Sequence, residues 1–146
     1  METAAHRASL ALTLLTAPAI YAMVVPVALL DLTVSVYQAI CFRAWGIARA
    51  PRSAFVVIDR HRLPYLNPIQ KVHCVYCGYA GGVLAYAAEV AALTEQYWCP
   101  IRHETVPPRR HAHYRDFIAF GDSAGFAAHR LTLREQLAEA APSLER

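Results

Sequence analysis

Residues 8–30 carry no charged side chain, a run of 23, and after Asp31 the uncharged sequence resumes over residues 32–42. About 20 apolar residues at 1.5 Å rise cross the hydrocarbon of a bilayer. We therefore expect one N-terminal transmembrane helix over residues 8–30, with an interfacial continuation to residue 45 in which Tyr37, Phe42 and Trp45 suit the headgroup region. A cleaved signal peptide is the rival. Arg7 would be its basic region, but the run is longer than an ordinary signal core, and residues 24–30 hold no small-x-small cleavage site before Asp31. Pro18 and Pro26 remove helix hydrogen bonds and predict kinks, which lipid-embedded helices tolerate when hydroxyls or neighbours compensate. A re-entrant hairpin is the lesser alternative, because each arm would be too short to cross. Asp31 reads as the residue that ends the span at the headgroup boundary, since an acid deep in lipid is expensive.

Basic residues set the orientation. Arg7 alone precedes the run, whereas Arg43, Arg49, Arg52, Arg60, Arg62 and Lys71 follow it, so the positive-inside rule predicts a single-pass inner-membrane protein with a cytoplasmic C-terminal part. Arg43, Arg49 and Arg52 are expected to touch anionic lipid headgroups. The net charge of +3 on 146 residues is too modest to suggest nucleic acid, and the length allows one small domain plus an anchor.

The chemistry-bearing stretch runs from His73 to His103. Cys74 and Cys77 form a C-x2-C pair followed by Gly78, and Cys99 and His103 form a C-P-x2-H pair, with residues 78–98 between them. Cytoplasmic thiols stay reduced, so this pattern predicts a metal site more readily than a disulfide. Four ligands in two pairs suit tetrahedral Zn²⁺ with Cys74, Cys77, Cys99 and His103, or alternatively iron or an iron–sulfur cluster. The rival is that the cysteines are small buried apolar residues and His103 a surface side chain. Cys41 reads as a buried thiol, and His61 as a loop histidine.

The expected fold is mainly α: membrane anchor over 1–45, a small α-rich metal-stabilised domain over 46–121 with at most one or two short strands, and a C-terminal amphipathic helix over 122–146. Residues 54–58, rich in β-branched side chains, predict a strand. Residues 82–98 predict a helix by apolar spacing. Tyr76, Tyr79, Tyr97 and Trp98 read as core aromatics. His111 and His113 form an H-x-H pair with no obvious further ligand. Gly121, Asp122 and Ser123 offer an N-cap to a helix over 124–141 stopped by Pro142. No repeat, phosphate loop, H-E-x-x-H or G-x-S-x-G is present.

Residues 59–67, Cys74-Val75-Tyr76-Cys77 and the run from Thr94 to His103 resemble a family of small, functionally uncharacterised bacterial membrane proteins with a CxxC…CPxxH motif. The resemblance extends to about Gly121-Asp122. It departs at Cys41-Phe42-Arg43, where Cys-Phe-Pro is expected, and at Gly81-Gly82, where Asn-Gly is usual. It implies a fold and the four-residue site but no activity. The two Cys segments are also similar to rubredoxin knuckles, except that rubredoxin closes with C-P-x-C where this chain has His103. Together these features lead us to expect a membrane-anchored module, most simply with structural zinc, that binds a membrane or cytoplasmic protein partner. A membrane-tethered electron carrier using iron is the alternative; a metalloenzyme with Glu95 or Glu104 as base fits least.

Overall fold

The computed structural model of the chain describes Leu12 and residues 15–140. Arg7, most of residues 8–14 and Pro142 lie outside the described residues. Two helices of 31 residues, α1 (Leu15–Trp45) and α2 (Pro68–Trp98), dominate the chain, and both are long and apolar enough to cross a membrane by length and composition. A third helix, α3 (Ser123–Glu139), follows a stretch with little regular structure.

α1 passes through Asp31 and runs on to Trp45, over the continuation expected from the sequence. Hydroxyls of Thr16 and Thr33 donate back to the carbonyls of Leu12 and Leu29, both at 2.9 Å, a pattern that lets Ser and Thr sit inside apolar helices. Pro26 cannot donate to the preceding turn, and the helical pattern is interrupted at Met23 without ending the helix. Residues Gln38–Phe42 form a π turn that leaves both of its end residues buried. Gly46, at φ +68°, ends the helix in the left-handed conformation, and Ile47 N–H closes it on the Phe42 carbonyl at 2.9 Å.

α2 begins earlier than the sequence predicts. Asn67 and Gln70 form a reciprocal capping box (2.8 and 3.0 Å) and Pro68 takes the first helical position, where its missing N–H is harmless. The helix then continues unbroken through Cys74, Cys77 and three glycines to Trp98. The C-x2-C segment is therefore helix, not a knuckle.

The two long helices run parallel. Along α1, Tyr21 meets His73 and Tyr76, Asp31 meets Tyr79, Gln38 meets Tyr86, and Trp45 stacks on Tyr97 with ring centroids 5.4 Å apart. Parallel neighbours require a connection that returns the full length of the pair, and residues 46–67 provide it. This connector contains one helical turn (Arg52–Phe55), an irregular stretch, and a 3-10 turn (Arg60–Arg62) against α2. No strand occurs among the described residues, so the strand expected over 54–58 is the end of a helical turn (Arg52–Phe55) followed by irregular chain. Its β-branched side chains have no strand alongside to complete a ladder; the connector packs on helix instead.

The core lies at the C-terminal ends of the long helices. Phe42, Ile47, Ala50, Tyr86, Val90, Leu93 and Leu137 form one buried cluster, so α3 shares a core with the connector and both long helices. Arg134 of α3 stacks over the Tyr97 ring at 4.4 Å and donates to its carbonyl at 2.8 Å, using the guanidinium as both plate and donor. Asp122 caps α3 by accepting from Gly125 N–H at 2.8 Å. A single parallel bridge, Ile101 to Ile118, ties down the intervening chain.

Candidate functional site

The four residues expected to hold a metal are not brought together. Cys74 and Cys77 lie three apart in the first half of α2, whereas Cys99 caps its far end. Twenty-two helical steps from Cys77 to Cys99 amount to about 33 Å of axis. A straight helix cannot fold its own ends onto one ion. His103 lies beyond Cys99, is exposed, donates its backbone N–H to the Tyr114 hydroxyl at 2.8 Å and stacks its ring on Tyr114. All four cysteines are free thiols, with Cys77 and Cys99 exposed and Cys41 and Cys74 half-buried. Among the described residues no group of three or more His, Cys, Asp or Glu gathers around a point that could hold an ion. One chain as folded here does not fit a four-ligand zinc or iron centre.

The polar residues that do converge sit between the long helices. Asp31, which is 9% exposed, accepts from two nitrogens of Arg52, Nε at 2.8 Å and Nη2 at 2.6 Å, and from the Tyr79 hydroxyl at 3.0 Å. A fork-on-carboxylate geometry is the strongest form such a pair takes. Arg52, expected to reach lipid headgroups, is thus committed to Asp31, while Arg43 and Arg49 are exposed near the end of α1. One step along, the buried Gln38 side chain serves the connector backbone on both sides: its Oε1 accepts from Ala50 N–H at 2.8 Å and its Nε2 donates to Ala50 C=O at 3.2 Å and to Tyr86 Oη at 3.1 Å. Beyond Arg52, the connector backbone presses directly on α2. A Cβ built on Gly82 would lie 2.6 Å from the Phe55 carbonyl oxygen, and one on Gly78 3.1 Å from that of Val57. The Gly78-x3-Gly82 spacing puts both notches on one face of the helix, the small-x3-small pattern that admits close backbone approach.

A second cluster joins α2 to the following chain. His111 Nε2 lies 3.1 Å from Glu95 Oε2, and His113 Nε2 lies 2.9 Å from Glu89 Oε1. The H-x-H pair therefore has acidic partners after all, supplied by the glutamates of α2. The Glu89 carboxylate raises the pKa of His113 above the ordinary imidazole value, with burial opposing in part. Tyr114 and Phe117, both buried, pack around His111 and anchor the segment.

Several of these residues escape a linear reading. Arg52 and Asp31 are 21 positions apart, and Gln38 reads as one polar residue in an apolar run. The spacing of Gly78 and Gly82 was a usable signal, masked by the more conspicuous Gly81-Gly82. Chemically, the central network is built of committed donors and acceptors and is suited to holding three segments together. Compared with protein-family models, curated proteins and solved structures, the chain matches none.

Proposed function

We propose that this chain is a membrane-embedded accessory subunit that works by binding a protein partner, with the C-terminal part on the cytoplasmic side. The observation that supports this most is the outward character of the long helices. Leu15, Val25, Leu29, Leu32, Val36 and Ile40 of α1 and Ile69, Val72 and Leu84 of α2 are exposed large apolar residues that nothing among the described residues covers. A water-soluble monomer rarely leaves so large an apolar surface open, whereas lipid covers it without further cost. Arg43, Arg49, Arg102, Arg109 and Arg110 around the far end are a cationic cluster that supports a cytoplasmic position for that end and contact with anionic headgroups. The central network, saturated with internal partners, is a scaffold for presenting surface, which is why binding is favoured over catalysis.

The test is fractionation followed by crosslinking in intact membranes. The chain is expected to stay in the pellet through alkaline carbonate, to leave it with mild detergent, and to crosslink into a species larger than its own 16.2 kDa. Recovery as a soluble monomer would overturn the membrane reading, and a monomer that never crosslinks would overturn the partner.

A further inference from the structure

We infer that the chain crosses the bilayer three times as one unit: α1 across, the connector back, and α2 across again in the direction of α1. This rests on the membrane reading above and specifies its geometry. Because α1 and α2 are parallel and in step, any bilayer that contains both along their length also contains the connector between them. The single-pass arrangement would instead hold the connector and α2 in water, with Val57, Val72 and Leu84, each more than half exposed, facing solvent.

The belt that would face lipid has the right thickness. On α2 no charge occurs from Val72 to Ala88, 17 residues between Lys71 and Glu89. That is about 26 Å of helix, close to the ~30 Å hydrocarbon core, and long basic side chains at a rim can reach outward to cover the difference. The connector follows the same division. Its Ile58 lies against Gly78, and only after it come Asp59, Arg60 and Arg62, at the level of the α2 start, the rim marked by Lys71. Its other end leaves α1 beside Arg43 and Arg49 next to Trp45, which stacks on Tyr97, beyond Glu89 on α2.

Hydrocarbon tolerates non-helical backbone only where protein covers it, and within the belt the connector backbone is held in this way at Ala50 and over residues 55–57, with a hydrogen-bonded helical turn (Arg52–Phe55) between. Gln38 takes both polar groups of Ala50, and the glycine notches bring the backbone of Phe55, Val56 and Val57 against α2. Its one belt charge, Arg52, meets the one belt acid, Asp31. Intramembrane charges are found in such pairs. Val57 and Ile58 face outward.

The three-crossing arrangement puts the turn around Tyr65 on the opposite face of the membrane from the chain after Trp98. The experiment uses the full chain with Cys41, Cys74, Cys77 and Cys99 changed to Ser, carrying either Tyr65→Cys or Val106→Cys, in sealed membrane vesicles of both orientations from an expressing bacterium. A membrane-impermeant maleimide is expected to label Tyr65→Cys only in one vesicle type and Val106→Cys only in the other. Trypsin on the unaltered chain gives an independent readout, with cleavage after Arg62 and after Arg110 from opposite sides. Labelling and cleavage of both regions from the same side would overturn the three crossings and leave the membrane reading standing. Loss of the chain from the carbonate-washed pellet would remove the premise itself.

Discussion

Gly81 and Gly82 are adjacent in the same helix, yet alanine should act on them with opposite sign. Replacing an interior helical glycine by alanine favours the helix by about 1 kcal/mol through backbone entropy. At Gly81 nothing lies within 4 Å of the added Cβ, so that gain should appear nearly whole. At Gly82 the Cβ would stand 2.6 Å from the Phe55 oxygen and 2.7 Å from the Val56 Cα, both backbone atoms that have no rotamer to yield. The connector cannot simply ride outward, because Gln38 holds it at Ala50 and Arg52 holds it at Asp31. Forcing a methyl group into such a contact costs about 2–3 kcal/mol. After the entropic gain is set against it, Gly82→Ala should destabilise by about 1–2 kcal/mol, and the two variants should differ by about 2–3 kcal/mol. The assay is reversible unfolding in mild detergent by graded sodium dodecyl sulfate, followed by fluorescence of Trp45 and Trp98, whose rings meet at 5.3 Å. If both variants shift stability alike, or Gly82→Ala is the more stable, the close packing of connector on α2 is refuted.

Arg52→Ala leaves the Asp31 carboxylate without its two strongest donors and should destabilise by about 1–3 kcal/mol, while Asp31→Asn in the Arg52→Ala background should recover part of that, as a double-mutant cycle would measure. Gln38→Leu leaves the Ala50 N–H and C=O unpaired in the core and should lose about 1–3 kcal/mol by the same unfolding assay. His113 has its pKa raised when folded, so its pairing with Glu89 contributes stability fully below the ordinary value of 6.5 and loses it as pH climbs through the raised value; amide exchange at Tyr114 should quicken over that window, and Glu89→Gln should flatten the response. Cys77→Ser and Cys99→Ser, both at exposed thiols, should each change stability by less than about 0.5 kcal/mol, and cooperative loss of structure in either would restore the four-ligand centre.

The features legible in the sequence are those decided within a few residues. The charge-free run predicted a long apolar helix, Trp98 the end of α2 and Asp122 the cap of α3. What stayed hidden depends on partners far along the chain. Asp31 reads as the end of a span because a lone acid in an apolar run is costly, and only Arg52, 21 residues on, makes it tolerable inside a continuing helix. Cys74-x2-Cys77-Gly78 reads as a metal knuckle because glycine after a thiolate pair permits one. The capping box at Asn67 and Gln70 starts a helix just upstream, and a running helix extends through cysteines at little cost. The glycine then serves as a notch rather than a turn. The residues 54–58 read as strand by composition, a preference that has force only when a neighbouring strand is there to receive it.

The connector explains why the polar residues of the apolar helices stand where they do. Two parallel helices need no polar group between them in lipid, and a returning chain of irregular backbone would leave N–H and C=O groups exposed at every step. Three of these residues fall at the level where the return passes, Gln38 opposite Ala50 and Asp31 with Tyr79 opposite Arg52, whereas Tyr37 and Thr94 pair directly between the helices at 2.9 Å. Where no side chain reaches in, Gly82 and Gly78 let the backbone itself close against α2. The π turn at Gln38–Phe42 lies at the same level, and both of its end residues are buried, Gln38 against the connector and Phe42 in the core. Asp31, Gln38, Tyr79 and the glycines therefore act through one element, and a change in any of them should be read first as a change in how residues 50–58 are held.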